Sequence, residues 1–206
     1  MPSSPDRPNV LIVPGRDIHF NNGTVRGGAS LYRPLSKRLT DRGVSVTVLP
    51  DLNWRDIRDI ENRVHKNVGV LSKNVHPVVV IGDDWGGRAA YDLAVAETRG
   101  IKGLVVVSSP IRRRYVDQSP RVKDQMTEED FDRNQTAPLR RGVKVLTIFP
   151  KNDPEVTGNN GTFPDEQGIR TIVHGPVPSH AAGRAAILGS EERINVIVDF
   201  VLAGDN

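Results

Sequence analysis

The chain has 206 residues, a length that suits a single α/β domain spanning 1–206, with a core that needs no staples. It has no cysteine, which excludes disulfides, thiol catalysis and cysteine-based metal sites, and fits a cytoplasmic protein. The net charge of +3 is too weak to point to nucleic acid, and every apolar run falls far short of the roughly 18 residues of a membrane helix, so neither nucleic acid nor membrane is an expected partner.

The start, Met1-Pro2-Ser3-Ser4-Pro5-Asp6, is polar and reads as no signal peptide. A first strand is predicted at Val10–Val13. A helix follows, with Leu31, Leu35 and Leu39 every four residues, Ser30 as N-cap and Gly43 beyond its end. Val44–Leu49 is the second strand candidate. Ile57, Ile60, Val64, Val68 and Leu71 then form an amphipathic helical stripe. Val78–Ile81 is a third strand, and the small residues Gly87, Ala89, Ala90 and Ala94 mark a helix able to pack closely on a sheet. Gly103–Val107, Val143–Phe149 and Ile169–Val173 complete the strands. Ser190 caps a last helix, with Glu191 and Glu192 in the first turn and Ile194, Ile197 and Val201 on its apolar face.

The strands are continuously apolar, as strands covered on both faces are, and they alternate with helices. This pattern predicts a three-layer α/β/α fold around a mostly parallel sheet of about six strands. Residues 111–142 break the rhythm with seven arginines and six carboxylates, so they read as a polar insertion: a short lid, a dimer contact or a solvated loop.

Chemistry concentrates where a buried strand runs into Gly82-Asp83-Asp84-Trp85-Gly86-Gly87 and then a helix. A Gly-x-Asp-x-Gly run between strand and helix is the pattern of a sharp turn whose central side chain stands exposed at the carboxyl edge of a sheet, beside helix N–H groups that favour an anion. The run resembles the nucleophile elbow of haloalkane dehalogenases and epoxide hydrolases in the α/β-hydrolase superfamily, which commonly reads Gly-His-Asp-Trp-Gly-Gly. Asp83 stands here where that family has histidine.

The resemblance implies a nucleophile, acid, base order along the chain. Asp84 would be the nucleophile. Pro150-Lys151-Asn152-Asp153 is similar to the turn that delivers the family's acid, which makes Asp153 the acid. His180 lies 27 residues beyond Asp153 and is preferred to His174 as the base. Pro14-Gly15-Arg16 resembles the oxyanion turn, so the backbone N–H groups of Arg16 and Trp85 would stabilise an oxyanion. Trp85 would also contribute to halide binding, and Asp83 would line the substrate side. Epoxide hydrolases supply two lid tyrosines; the insertion holds one, Tyr115. The full helical cap of that family is missing.

An aspartate nucleophile narrows the bond that is broken. Attack on an ester would give an anhydride, whereas displacing halide or opening an epoxide gives an ordinary ester that water can later hydrolyse. The reading is therefore a small-molecule hydrolase with no metal and no redox cofactor, with an epoxide preferred to a halide. A second reading uses Asp84 as acid or base in cyclisation, elimination or ring opening without a covalent step. A third is a binder that has lost the chemistry.

Overall fold

The computed structural model describes residues 7–15, 20–21, 24–25, 28–49, 52, 57–73, 76–96, 100–109, 142–153, 156 and 169–203. In chain order the elements are β1 (Asn9–Val13), β2 (Phe20–Asn21), β3 (Thr24–Val25), α1 (Gly28–Asp41), β4 (Ser45–Val48), α2 (Ile57–Ser72), β5 (Val78–Asp83), α3 (Trp85–Ala96), β6 (Ile101–Val107), β7 (Lys144–Pro150), β8 (Ile169–His174), α4 (His180–Gly189) and α5 (Glu191–Leu202). All six predicted strands pair in parallel in one sheet of order β4-β1-β5-β6-β7-β8. The insertion expected at 111–142 lies outside the described residues except for Gly142.

Period-two alternation divides the sheet's apolar residues between two cores. Leu11, Val13, Val78, Val80, Leu104 and Val106 meet α2 and α3 on one face. Val10, Ile12, Val79, Ile81, Val105 and Val107 meet α1, α4 and α5 on the other. This is why the central strands read as unbroken apolar runs: both faces are covered. The outermost strands β4 and β8 are only partly buried, and Val173 is exposed.

Three expectations need correction. Helix α1 begins at Gly28, so Ser30 lies inside its first turn and does not cap it. The small antiparallel pair β2–β3 was not expected. Nor was α4, whose run of Ala, Gly and Ile carries little amphipathic signal; Ser179 caps it by accepting from the Ala182 N–H at 3.2 Å. The predicted cap of α5 is present, with Ser190 Oγ accepting from the Arg193 N–H.

The strand order reverses at β1 and β5. The chain leaves β1 toward β4 on one side and leaves β5 toward β6 on the other, which opens a crevice at the carboxyl ends of those two strands. Close packing at that point depends on Gly86, where an added Cβ would collide with the Val13 carbonyl oxygen. Gly86→Ala is therefore expected to lower stability by about 1–3 kcal/mol in denaturant titration. Gly69 supplies the control. It is exposed within α2 and an added Cβ meets nothing within 4 Å, so Gly69→Ala should raise stability by about 0.5–1 kcal/mol.

Candidate active site

Strand β5 ends at Asp83, α3 begins at Trp85, and Asp84 alone makes the turn. Its φ of 50° lies in the left-handed region, which costs a non-glycine residue energy and persists only where the surroundings enforce it. Here the Asp84 N–H donates to the Val107 carbonyl at 2.9 Å, and its own carbonyl accepts from the Gly87 N–H at 3.0 Å. The flanking glycines make room, because an added Cβ on Gly82 would run into Gly87 Cα and the Gly86 carbonyl.

The other two candidates arrive from the ends of later strands. Asp153 follows β7 in a turn in which its Oδ1 accepts from the Val156 N–H at 3.3 Å. His180 opens α4 after β8. Its Nδ1 lies 2.9 and 2.7 Å from the two Asp153 oxygens, and its Nε2 lies 3.1 Å from Asp84 Oδ1. The structure thus brings together Asp84, Asp153 and His180, the three residues expected to work together. His174 ends β8, on the far side of the turn that leads to α4.

A ring between two buried carboxylates favours the doubly protonated form. Burial opposes charge on His180, but hydrogen bonds to Asp153 and Asp84 and the charges of both outweigh it, and the imidazolium is pushed up to about 10. Burial likewise opposes charge on Asp84. The His180 hydrogen bond, the Arg184 and His180 charges and the Trp85 backbone N–H prevail, so its carboxyl is held below the usual range. Both shifts favour an ionic chain that runs from Asp84 into the imidazolium.

Two further expectations are corrected by the burial. Asp84 was expected to stand exposed, yet it is 0% exposed. The turn after β1 passes directly over the elbow: an added Cβ on Gly15 would lie 2.6 Å from Asp84 Cβ. Asp83 was expected on the substrate side, yet it too is fully buried. Alternation along β5 explains this. Asp83 follows Val79 and Ile81 in step, so its side chain falls on the face covered by α1 and α4. There Arg184 donates to its carboxylate from Nε at 2.9 Å and from Nη2 at 2.6 Å, and the Tyr32 hydroxyl donates at 2.6 Å.

Trp85 is buried at the start of α3, and its backbone N–H donates a hydrogen bond to the Asp84 carboxyl group. Arg16 and Tyr115 lie outside the described residues, although the adjoining Gly15 is at the elbow. Sequence reasoning missed Tyr32 and Arg184. A signal for Arg184 exists: besides His180 it is the one charged residue of α4, four positions away and so on the same helical face. Among the described residues, no group of three or more His, Asp or Glu is arranged to hold a metal ion, and no helix is long and apolar enough to cross a membrane.

No protein-family model matches the chain, and no curated protein matches it in sequence. Solved structures do match in shape. A monoacylglycerol lipase from Paleococcus ferrophilus is similar with a TM-score of 0.66 at 13% identity, covering 96% of each chain. Est1E from Butyrivibrio proteoclasticus gives a TM-score of 0.61 at 13% identity, over 96% of this chain and 86% of the other. MGS-MChE2, an α/β-hydrolase enzyme from the metagenome of sediments of the lagoon of Mar Chica, Morocco, gives 0.59 at 15% identity, over 95% and 91%. With the six-stranded parallel sheet and its covering helices, these likenesses establish that the chain has a minimal α/β-hydrolase fold.

Proposed function

We propose that the protein is a hydrolase of small molecules in which Asp84 attacks carbon and His180, oriented by Asp153, activates the water that completes the reaction. The observation that carries this reading is Asp84 at positive φ in the elbow, 3.1 Å from His180 Nε2, with Asp153 on the opposite ring nitrogen. The likeness to a lipase and to other α/β-hydrolase enzymes supports hydrolysis in general. The aspartate narrows the bond, because a carboxylate that alkylates itself forms a hydrolysable ester, whereas one that acylates itself forms an anhydride. The preferred substrate is an epoxide, followed by an alkyl halide.

The electrostatics suit a two-step cycle. Asp84 is held ionised and ready to displace the carbon–oxygen bond of an epoxide. The ring oxygen leaves as an alkoxide and takes up a proton. Esterification removes the charge on Asp84, and with it one of the two carboxylates that hold His180 in its charged form. The imidazolium then yields its proton to balance the alkoxide. Neutral Nε2 takes a proton from water, hydroxide attacks the Asp84 carboxyl carbon, and the tetrahedral intermediate collapses by breaking its bond to the substrate oxygen, which takes the proton back from Nε2 and leaves as the diol. The Trp85 backbone N–H is placed to stabilise the tetrahedral oxyanion. The base is thus switched on by the alkylation it is needed to reverse.

A second reading keeps Asp84 and His180 as an acid–base pair with no covalent step. It is favoured by the full burial of Asp84 and its direct hydrogen bond to the ring. Single turnover in 18O-labelled water separates the two, since only the ester route places solvent oxygen in Asp84. Asp84→Asn should reduce turnover of a small epoxide by at least about 10³-fold with the fold retained. Full turnover in that variant would remove Asp84 from the chemistry.

A pH dependence of stability follows from the same contacts. The raised imidazolium contributes in full below its ordinary value of 6.5, and the contribution is lost as pH rises through about 10. The lowered Asp84 carboxyl contributes above its ordinary 3.8, and that contribution is lost as pH falls through its depressed value. In urea titrations at pH 7 and pH 10.5, wild type should lose more stability on the alkaline side than His180→Gln; parallel losses would contradict the ionic chain.

A further inference from the structure

The buried charges behind the elbow take no part in the chemistry proposed above. Arg184 is 3% exposed and Asp83 is 0% exposed, and their contact is a two-point fork, with Nε 2.9 Å from Oδ1 and Nη2 2.6 Å from Oδ2. Arg184 lies one helical turn beyond His180 on the same face of α4, and Asp83 is the residue before Asp84. The Tyr32 hydroxyl donates to Asp83 Oδ2 at 2.6 Å and accepts from the Gly15 N–H at 3.3 Å. One ion pair therefore touches the helix that carries the base, the turn that carries the nucleophile, helix α1 and the turn after β1. Between His180 and Arg184, Gly183 lets α4 press against Pro150, where an added Cβ would collide with the proline ring.

We propose that Arg184 is a positioning residue for this site: its grip on Asp83 fixes the His180 helix against the Asp84 turn. Packing at Gly183 seats α4 on β7, and the buried Ile187 and Leu188 hold its far end in the core. The bidentate guanidinium adds a constraint at the His180 end, because two bonds to one carboxylate define an orientation as well as a distance. Tyr32 extends the same constraint to Gly15, whose backbone closes over Asp84. The inference rests on the reading of Asp84 and His180 as the working pair, but its test requires no substrate, so a failure of the epoxide chemistry leaves the result interpretable.

The test is the titration of the His180 ring followed by 15N NMR, alongside thermal melting. The charged groups that set this titration are Asp84 and Asp153, and Arg184 acts on Asp84, so a change of field must be separated from a change of geometry. The double variant Asp83→Asn/Arg184→Met removes one charge of each sign, which leaves the net charge near the ring unchanged. A folded double variant in which the His180 midpoint falls by about one pH unit or more supports positioning, since the contact with Asp84 has loosened. A folded double variant with the native midpoint overturns the proposal and leaves the pair a stabilising role only. If the double variant does not fold, Arg184→Lys decides. It keeps the charge but cannot span both oxygens, so a lowered midpoint supports the proposal and a native one overturns it.

Discussion

The site depends on one contact, the imidazole of His180 held between two buried carboxyl groups. Asp84 and Asp153 are both 0% exposed. In such surroundings a hydrogen-bonded opposite charge counts for far more than it would at the surface. The ring answers this demand on both sides, and its charged form is the form the fold selects. Remove either carboxylate's charge and the ring's preference changes, which is what makes chemistry at Asp84 able to alter the state of His180. The contact is assembled from residues far apart in sequence because a parallel sheet delivers every strand end to one edge, where β5, β7 and β8 each release one member.

A second buried pair lies directly behind the first. Burial and the adjacent Asp84 both oppose charge on Asp83, and its carboxyl is pushed above the usual range. Arg184 works against this without fully offsetting it. Burial opposes its charge, but Asp83 holds its guanidinium ionised well above the ordinary range. Buried ion pairs contribute little net stability compared with apolar packing, yet breaking one by removing a single partner costs about 3–5 kcal/mol. Such a pair makes better sense as a device for orientation than as a source of stability. It sits between the residue that precedes Asp84 and the helix that carries His180.

Much of this was legible in the sequence, for reasons that can be named. The six strands stood out because β-branched runs bounded by turn residues have few other readings in a chain of alternating elements. The elbow was legible because the glycines around Asp84 answer a local steric need, visible within six residues. Asp153 and His180 were singled out because their order and intervals resemble those of the α/β-hydrolase superfamily, and the structure places His180 between Asp153 and Asp84. The Asp83–Arg184–Tyr32 network was not found, since it joins residues 101 and 51 positions apart and no local pattern announces such a pairing. Two clues were nonetheless present: the alternation of β5, which turns Asp83 toward the α1 and α4 face, and an arginine one turn beyond His180 in a helix whose other residues are apolar or small. Helix α4 itself escaped notice because small residues carry weak periodicity. The burial of Asp84 could not be read from its motif, as it arises from the turn after β1 closing over a residue some seventy positions later.

The central claim is that the Asp84 carboxylate becomes covalently bonded to substrate carbon. Replacing His180 with Gln should leave the first step intact and stop the second, so the ester should accumulate. Intact-mass spectrometry of His180→Gln after exposure to a small epoxide, with peptide mapping, reads this directly. The expected result is an added mass equal to one epoxide, located on Asp84 and absent from Asp84→Asn. An unmodified Asp84 in a protein that consumes the epoxide in its wild-type form would contradict the account.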